Sequence, residues 1–597
     1  MQLTRRDLLR WGIVLGGGAA LSSGQRVSGD SGSSSSPPTT PFVNELKVGQ
    51  GIPPVATPVN AFATIPDPTD CLNPDGTKVP HPVQFHGPNP LPGNTEFFKI
   101  HEKPVSHSFN PQAPQGERTF TNVLWGYART LQTPTGLIVE DASIPGPTIV
   151  AKSGTPQLVR FFNDLVADSL GIGDPISAVH RHGGFQNPED DGYPLDTFCF
   201  GDARDYYYPN RPAGGLRQNE HSTNWYHDHS IDVTGPNVYR GLAGFYPYTN
   251  SFDTGDEATG LQLPGNKVTV TQNGKKVTLD IGPFDIGLVL QDRLFDRNGR
   301  LVYNTFDHDG FIGDKFCVNG LIQPFLRVAT RRYRFRILNG SNARVYQLFL
   351  SNGQSFQAIA TDSTLLEHPV TVPNFRLAPA ERVEVIIDFT HASPGDKIYL
   401  VNRLQQTDGR KPDGLVSPGT KILEFRVDGS LPTAGNSRLL SDTDPLLPLD
   451  PTQRPEVLAK QAKVHRSFEF ERSDGAWVIN GEFFDENRVN ARPAVAQPEI
   501  WTLSSGGGWV HPVHIHLSDF SILSRDGMTP PPLERGRKDT VLIGADVGDA
   551  TILIKFDDPR DATIQAKTLH TALRYVFHCH NIEHEDMRMM GQFEVLT

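Results

Sequence analysis

The stretch that decides the fold lies near the C-terminus and reads His578-Cys579-His580-Asn581-Ile582-Glu583-His584-Glu585-Asp586-Met587-Arg588-Met589-Met590. A cysteine thiolate, imidazoles and a long thioether contact are the ligands of a blue-copper centre. Cys579, His584 and Met589 can supply that set, which then lacks only one imidazole. Side chains alternate between two faces along an extended segment, so His578 and His580 would face away from Cys579 together. The stretch therefore predicts a blue-copper site and a second metal site, joined by a short length of backbone.

The remaining imidazoles lie in three earlier stretches. The segment Trp509-Val510-His511-Pro512-Val513-His514-Ile515-His516 carries the missing one, and two His-x-His pairs occur at His180 with His182 and at His227 with His229. In a strand, a His-x-His pair places both rings on one face. Two such pairs facing each other can hold a pair of metal ions. The four clusters together contain ten of the twenty histidines.

From roughly Phe42 to the end, these four motifs resemble those of the multicopper oxidases in order and spacing. The similarity is greatest to the laccase-like bacterial enzymes and the bilirubin oxidases. It implies an all-β chain of three cupredoxin-like Greek-key β-sandwich domains that binds about four copper ions. It also implies a role for each ligand: His511, Cys579, His584 and Met589 for the type 1 copper, His180 and His514 for the type 2 copper, and His182, His227, His229, His516, His578 and His580 for the type 3 pair.

Short strands separated by Pro- and Gly-containing turns favour β-sandwiches. Related patterns recur three times, at 144–150 with 157–164, at 323–328 with 333–339, and at 498–503. The alternation of Tyr333, Phe335 and Ile337 with two arginines predicts a strand with one buried face. Three related patterns imply three similar sandwiches.

Together with the resemblance, these patterns divide the chain into four parts: an export signal with a flexible linker at 1–41, and domains at 42–255, 256–440 and 441–597. The histidine clusters fall in the first and last domains. A site that needs all of them can form only where those two domains meet. We expect the middle domain to bind no copper and to hold the other two in place.

The N-terminus combines Thr4-Arg5-Arg6-Asp7-Leu8-Leu9 with an apolar run, 11–21, that is too short to span a bilayer. It resembles a twin-arginine export signal, with an ordinary signal as the alternative, and so predicts a periplasmic or secreted protein. Residues 22–40, rich in Ser, Gly and Pro, predict a flexible tether. No later segment is apolar enough to cross a membrane. With a net charge of −12, the chain has no broad basic surface for nucleic acid. We also expect the protein to be a monomer.

Two carboxylates and one tryptophan are further candidates for the site. Reduction of O2 consumes protons, and the resemblance assigns their supply to Asp191 and Glu585. The alternative is that each carboxylate orients a ligating histidine. Trp509 matches a tryptophan of bilirubin oxidases and could stack a flat donor, or it could be a core aromatic beside the copper. Because electron transfer falls off steeply with distance, we also expect an exposed imidazole edge on His511 or His584.

The other cysteines limit the disulfides that can form, and the methionines bear on the type of oxidase. With Cys579 assigned, Cys71, Cys199 and Cys317 remain, so at most one disulfide forms. We expect it between Cys71 and Cys199, which both lie in loop-like stretches of the first domain. Three of the five methionines lie in the type 1 segment, so the methionine-rich inserts of copper-efflux oxidases are absent.

The leading hypothesis is an exported oxidase that takes single electrons from phenols, aromatic amines or a tetrapyrrole such as bilirubin, and reduces O2 to water. One alternative is a metal-ion oxidase acting on Mn(II), Fe(II) or Cu(I). That enzyme would need carboxylates beside the type 1 histidines, and Glu583, Glu585 and Asp586 are the evident supply. A second alternative is a copperless scaffold protein of the same fold, against which the intact ligand set argues.

Overall fold

The computed structural model describes residues 35–48, 51, 53–55, 91–166, 170–272, 275–306, 308–433, 437–560 and 573–597. Within these residues, the strands form three successive pairs of sheets. The residues of each pair form one apolar core between the two sheets. The predicted all-β fold of three sandwiches is confirmed.

The first sandwich contains strands β1 (Glu96–Ser108), β2 (Thr121–Thr133), β3 (Gly136–Val139), β4 (Ala151–Lys152), β5 (Gln157–Asn163), β6 (Ile176–Ser177), β7 (Val179–His182), β8 (Phe198–Cys199), β9 (Ala203–Tyr208), β10 (Thr223–Asp228) and β11 (Ala243–Thr249). The strand order is β3-β2-β1-β5-β9 in one sheet and β4-β11-β10-β7 in the other, while β6 pairs with β8. Strands β7 and β10 are antiparallel, with His180 opposite His227. The two His-x-His pairs therefore lie beside each other at one sheet edge.

The second sandwich contains β12 (Lys267–Gln272), β13 (Lys275–Asp280), β14 (Asp285–Phe295), β15 (Leu301–Val302), β16 (Lys315–Val318), β17 (Leu321–Ile322), β18 (Phe325–Val328), β19 (Arg332–Asn339), β20 (Tyr346–Leu350), β21 (Phe356–Thr361), β22 (Thr364–Val372), β23 (Phe375–Leu377), β24 (Arg382–Asp388), β25 (Lys397–Gln405) and β26 (Gly414–Val427). Its sheets have the orders β17-β16-β14-β19-β24-β21-β22 and β18-β26-β25-β20-β23. Strand β15 pairs with β14, and β12 with β13 forms a separate hairpin.

The third sandwich contains β27 (Val464–Ser473), β28 (Ala476–Ile479), β29 (Pro498–Ser505), β30 (Val510–Ile515), β31 (Phe520–Arg525), β32 (Arg537–Lys538), β33 (Thr540–Gly544), β34 (Ala550–Lys555), β35 (Leu573–Cys579) and β36 (Met590–Val595). Its sheets have the orders β28-β27-β29-β34-β31-β32 and β33-β30-β35-β36. In the antiparallel pair of β30 and β35, His514 lies opposite His578 and Val513 lies opposite Cys579. Two of the histidine motifs are therefore neighbours in one sheet.

The described helices are short: α1 (Thr234–Arg240), α2 (Pro455–Leu458), α3 (Ile582–Asp586), and 3-10 helices at Pro188–Asp190, Ala213–Gly215, Arg217–Asn219, Pro451–Gln453 and Pro532–Arg535. None of the described helices has the length and apolar character needed to cross a membrane. Helix α3 follows directly after the His-Cys-His strand, so it turns the chain back over the end of β35.

Most of the strand predictions are confirmed. Strands β5, β19 and β29 cover the predicted segments within two residues at each end, and the segment at 323–328 is a strand only from Phe325. The strand predicted at 144–150 is wrong, because that segment makes only isolated bridges. Its two prolines lack the N–H that a continuous ladder requires.

Strand β19 differs from the prediction in a second way. Tyr333, Phe335 and Ile337 are buried as expected, but Arg334 and Arg336 on the opposite face are also buried, at 0% and 4% exposure. Arg334 binds Asp253 and Glu384, and Arg336 binds Asp285 and Glu384. The arginine face therefore packs against the first sandwich, where buried ion pairs replace the solvent that alternation alone predicts.

Several sequence predictions lie outside or between these elements. The export signal falls in residues 1–34, and Cys71 falls in 56–90, both outside the described residues. Cys199 is in a disulfide, and Cys317 and Cys579 are buried free thiols. The predicted domain boundaries fall between β11 and β12 and between β26 and β27, and they stay predictions.

Candidate metal centre

Three buried ligand atoms converge in the third sandwich. His511 lies on β30, Cys579 ends β35 and His584 lies in α3. The two Nδ1 atoms are 3.2 Å apart, and each lies 3.5 Å from the sulfur of Cys579. Ligands that share one ion at roughly 2.0–2.3 Å are separated by about these distances. We call these three residues the thiolate group.

The chemistry of the thiolate group points to a metal. All three side chains are 0% exposed. Burial lowers the pKa of His511 to about 3, so its ring is neutral at pH 7. Burial also raises the pKa of the Cys579 thiol well above its ordinary value. Since a metal ligand must be deprotonated, a thiolate here needs a cation bound among the three side chains.

Eight histidines form a second group, the imidazole cluster, where the first and third sandwiches meet: His180, His182, His227, His229, His514, His516, His578 and His580. Three sets within it bring their ligand atoms within 4.8 Å of one another: His182, His227 and His580; His229, His516 and His578; and His180, His182 and His514. Each set mixes histidines from both sandwiches. The imidazole cluster therefore requires the assembled chain, as the sequence predicted.

The ring nitrogens of the cluster face one another. His578 Nε2 lies 3.2 Å from His229 Nε2 and 3.3 Å from His516 Nε2. The buried nitrogens with no hydrogen-bond partner among the described residues include Nε2 of His180, His227 and His514, and Nδ1 of His182. Burial lowers the pKa of all four rings, to about 4 for His182, so their lone pairs are free at neutral pH. Because buried polar atoms normally have partners, these nitrogens indicate bound cations.

Contacts on the far side of the rings fix their orientation. His516 Nδ1 donates to the Asp191 carboxylate at 2.7 Å, and His578 Nδ1 lies 3.1 Å from Glu585. The Nδ1 atoms of His227 and His514 bond backbone carbonyl oxygens, each at 2.8 Å. Such outer contacts set the tautomer and aim the other nitrogen at the metal.

Strand β35 joins the two groups. His578 and His580 belong to the imidazole cluster, and Cys579 between them belongs to the thiolate group. The thiolate group is thereby connected to the imidazole cluster through the backbone of adjacent residues.

Comparison with known proteins identifies this arrangement. Residues 122–248, 250–423 and 451–597 each match the multicopper oxidase family. The bilirubin oxidase of Albifimbria verrucaria is 32% identical over 522 residues, which cover 85% of this chain and 77% of that protein. This chain belongs to the multicopper oxidase family.

Two further comparisons, one of sequence and one of structure, support the same family. The laccase of Bacillus subtilis (strain 168) is 29% identical over 84% of this chain and 94% of its own. The crystal structure of a multicopper oxidase from the hyperthermophile Aquifex aeolicus superimposes with a TM-score of 0.63 at 25% identity, covering 84% of this chain and 96% of that one. The protein is a laccase-like oxidoreductase that uses O2 as acceptor, and its cofactor is copper. The donor set fits, because thiolate and imidazole are ligands that copper favours.

The middle sandwich holds the ligand segment of this multicopper oxidase from one side. Glu583, beside His584, accepts hydrogen bonds from Tyr303 Oη at 2.6 Å, Asn342 Nδ2 at 2.8 Å and the Phe311 N–H at 3.0 Å. All three donors come from the second sandwich, and Glu583 is 0% exposed. Through these hydrogen bonds the second sandwich holds the ligand segment around His584, which is the kind of support that we expected from the middle domain.

Asp539 is a carboxylate of the site that the sequence analysis missed. Its Oδ1 lies 3.1 Å from His182 Nε2, and its backbone oxygen accepts from His514. Arg382 of the second sandwich binds both carboxylate oxygens, at 2.7 and 2.6 Å. Because Nε2 of His182 faces Asp539, Nδ1 of that ring is left for the metal. Asp539 thus ties one ligand from each outer sandwich to the middle one.

The structure brings the predicted carboxylates Asp191 and Glu585 to the imidazole cluster. Asp191 is buried, and burial raises its pKa to about 8, although Gln186 donates to it and Arg181 lies nearby. Asp191 contacts the His516 ring and Glu585 contacts the His578 ring, which are the contacts that the orienting alternative requires. Their part in proton supply stays a prediction.

The expectation of an exposed imidazole edge is wrong, because His511 and His584 are both 0% exposed. Trp477, which the sequence analysis did not single out, stacks on His584 at 3.8 Å between ring centroids and is itself fully buried. Trp509 is only partly buried and lies edge-on to Trp477 at 4.7 Å. Of these two indoles, Trp477 lies against the thiolate group, and Trp509 is the one that reaches the surface.

Proposed function

We propose that this multicopper oxidase takes single electrons from phenols, aromatic amines or bilirubin-like tetrapyrroles at the thiolate group and uses them at the imidazole cluster to reduce O2 to water. The observation that carries the proposal is the placement of Cys579 in one group and of its two neighbours in the other. The relatives named laccase and bilirubin oxidase support this donor class.

We assign the ligands as follows: His511, Cys579, His584 and Met589 to type 1 copper, His180 and His514 to type 2, and His182, His227, His580, His229, His516 and His578 to the type 3 pair. The choice of Met589 over Met590 is supported by packing, because Met589 lies in the same core as Cys579, whereas Met590 packs in a separate cluster with Tyr193. Bound copper would supply one-electron chemistry at the thiolate and would bind and reduce O2 at the imidazoles.

The protein's own groups prepare the site for this reaction. Burial lowers the pKa of His180, His182, His227 and His514, so these rings are neutral and their lone pairs are available at pH 7. Asp191 and Glu585 hold His516 and His578 in their ligating orientation, and we assign to both carboxylates the delivery of protons to the imidazole cluster. Trp509 would contact the donor. Separation of the two groups lets donors deliver electrons without entering the O2 site.

Copper analysis is the first test. We expect about four coppers per chain after copper loading, with an intense blue colour from the cysteine-ligated cupric ion. Elemental analysis that finds one copper or none in loaded protein would overturn the proposal and would favour the scaffold alternative.

A cysteine substitution makes the test specific. Cys579→Ser should abolish the blue colour and the oxidase activity but keep most of the other copper, because the imidazole cluster contains no sulfur. Cys317→Ser is the matched control, since Cys317 is also a buried free thiol. Equal loss of colour in both variants would show a general effect of cysteine removal on folding.

The three carboxylates that a metal-ion oxidase would need beside the type 1 histidines are buried and already bound. Glu583, Glu585 and Asp586 are 0%, 2% and 1% exposed. Glu583 is bound by the second sandwich, and Glu585 faces two imidazoles. Asp586 accepts from the backbone N–H groups of Thr234 and Gly235, at 2.9 and 3.0 Å. None of these three can offer an oxygen to a metal ion arriving from solvent without breaking these contacts.

We also propose export by the twin-arginine route, with the mature protein in the periplasm or secreted, and a monomeric state. The motif at Arg5 and Arg6 supports the first point. Replacing both arginines with lysine should leave the protein in the cytoplasm, and fractionation of cells measures this. Light scattering of the purified enzyme measures the mass, and a dimer mass would overturn the monomer.

A further inference from the structure

The route by which a donor reaches the thiolate group is closed at the imidazoles. His584 Nε2 lies 3.3 Å from the carbonyl oxygen of Asp309 and 3.1 Å from Asn581 Nδ2, and Trp477 covers the ring face. His511 is equally buried. A donor in solution therefore cannot touch either ring, and its electron must cross another side chain.

Trp477 is placed to carry that electron. Its ring is stacked on His584 with an interplanar angle of 28°, and its Nε1 donates to the His308 carbonyl at 2.6 Å, which fixes the ring. Trp509 meets it edge-on at 4.7 Å and is partly exposed. The two indoles form a continuous aromatic path from the surface to a ligand of the thiolate group.

An arginine, Arg410, lies at the outer end of this path. The Arg410 guanidinium is exposed, lies 5.6 Å from the Trp509 ring centroid and donates to the carbonyl oxygens of Gly507 and Gly508. Two neighbouring cations are paired: Arg472 with Asp309 at 2.8 Å, and Lys411 with Asp546 at 2.7 Å. The Asp408 carboxylate accepts from the backbone N–H of Arg410 at 2.9 Å and not from its guanidinium. Arg410 makes no ion pair within the described part of the chain. A planar donor stacked on Trp509 would place an anionic substituent beside this charge.

We propose that donors bind at an outer site formed by Trp509 and Arg410, which favours planar aromatics with a carboxylate, and that Trp477 conducts the electron from this site to His584. The donor loses one electron and becomes a radical, a phenolic donor releases its hydroxyl proton to water, and the thiolate site gains the electron. Both indoles begin and end unchanged. This inference rests on the proposed function. It adds a preference for negatively charged donors and a route for the electron from the surface to His584.

The path is tested in the blue, copper-loaded enzyme under anaerobic conditions by following bleaching of the blue colour after mixing with a donor. Trp477→Leu should slow bleaching several-fold while the redox potential and the copper spectrum stay unchanged. Trp477→Phe should recover part of the rate because it keeps an aromatic ring. Unchanged bleaching, or slowing fully explained by a changed potential, would overturn the path.

A second variant keeps this test decisive if Trp477→Leu does not fold. Trp509→Leu changes a partly exposed ring and should slow bleaching by the same mechanism, and an unchanged rate there would overturn the path. Failure of the proposed function is a different result, since the wild-type chain would then show no blue colour at all.

The preference for charge is tested with syringic acid and its methyl ester, which share a ring and differ in one negative charge at pH 6. In Arg410→Gln, kcat/KM for the acid relative to the ester should fall about two- to five-fold, the size of an exposed ion pair, and high salt should shrink the difference. Lys411→Gln removes the same charge one residue away and should leave the ratio unchanged. An unchanged ratio in Arg410→Gln, or an equal fall in both variants, would overturn the outer site.

Discussion

Asp539→Asn tests whether the middle sandwich controls the imidazole cluster. Both oxygens of Asp539 accept from the Arg382 guanidinium, and Oδ1 also faces His182. An asparagine has nearly the same shape, but its NH2 group must replace one of these oxygens. In either orientation of the amide, its NH2 group then faces an N–H group of Arg382, and neither can accept a hydrogen bond. The buried guanidinium also loses the negative charge that balances it.

The size of the effect follows from these contacts. Removal of one partner from a buried ion pair lowers the free energy of unfolding by about 3–5 kcal/mol. Loss of an outer partner of a ligating histidine lowers metal affinity about 10–100-fold. We therefore expect Asp539→Asn to release copper from the imidazole cluster at about 10–100-fold lower chelator concentration. The blue colour should persist, because Asp539 contacts none of the thiolate group in the described structure.

The assay is equilibration against a chelator series, with elemental analysis of total copper and absorbance of the blue band in the same samples. Asp519→Asn is the control, because Asp519 pairs with Arg537 at 2.8 and 2.7 Å and bonds no histidine of the cluster among the described residues. Copper retention that is the same in both variants and in the wild type would refute the reasoning.

Three other variants probe separate parts of the molecule. Met589→Leu should raise the redox potential of the blue site, since a weak axial thioether helps to set it, and potentiometric titration that shows the shift in Met590→Leu instead would move the ligand by one residue. Asp191→Asn should slow reoxidation by O2 more than reduction by a donor in stopped-flow measurements, and the reverse would place Asp191 on the donor side. Burial alone would raise the pKa of Glu384, but two buried arginines lower it to about 2 from 4.5. Its stabilisation, about 3 kcal/mol, is therefore complete above pH 4.5 and lost as the pH falls toward 2. The deficit of Glu384→Gln in unfolding free energy should be constant from pH 6 to 8 and shrink on acidification, whereas a deficit that grows in acid would contradict the sign.

The ligand pattern could be predicted from sequence because the two-residue period of a strand is visible in it. His578, Cys579 and His580 alternate by that period, so two groups on opposite faces follow from local geometry. Asp539 could not be predicted, because its partners His182 and Arg382 lie 357 and 157 residues away and no spacing rule links them.

The burial of the thiolate group also depends on chain segments that meet only in the fold. The covering contacts of His584 come from Trp477 in the third sandwich and from Asp309 in the second. Neither residue belongs to a ligand motif. Sequence reasoning therefore expected an exposed ring where the folded chain has an enclosed one.

The division of each histidine set between the first and third sandwiches makes copper a thermodynamic partner in folding. An ion that binds only when both sandwiches are in place adds stability by mass action, about 2.7 kcal/mol when its free concentration is a hundred times its dissociation constant. The midpoint of thermal unfolding should then rise with free copper, and separation of the sandwiches should be measurable as loss of bound metal. A chain that matures where copper is scarce would lack this contribution, and its junction would rest on protein contacts such as those of His516 with Asp191 and of Thr234 with Asp586.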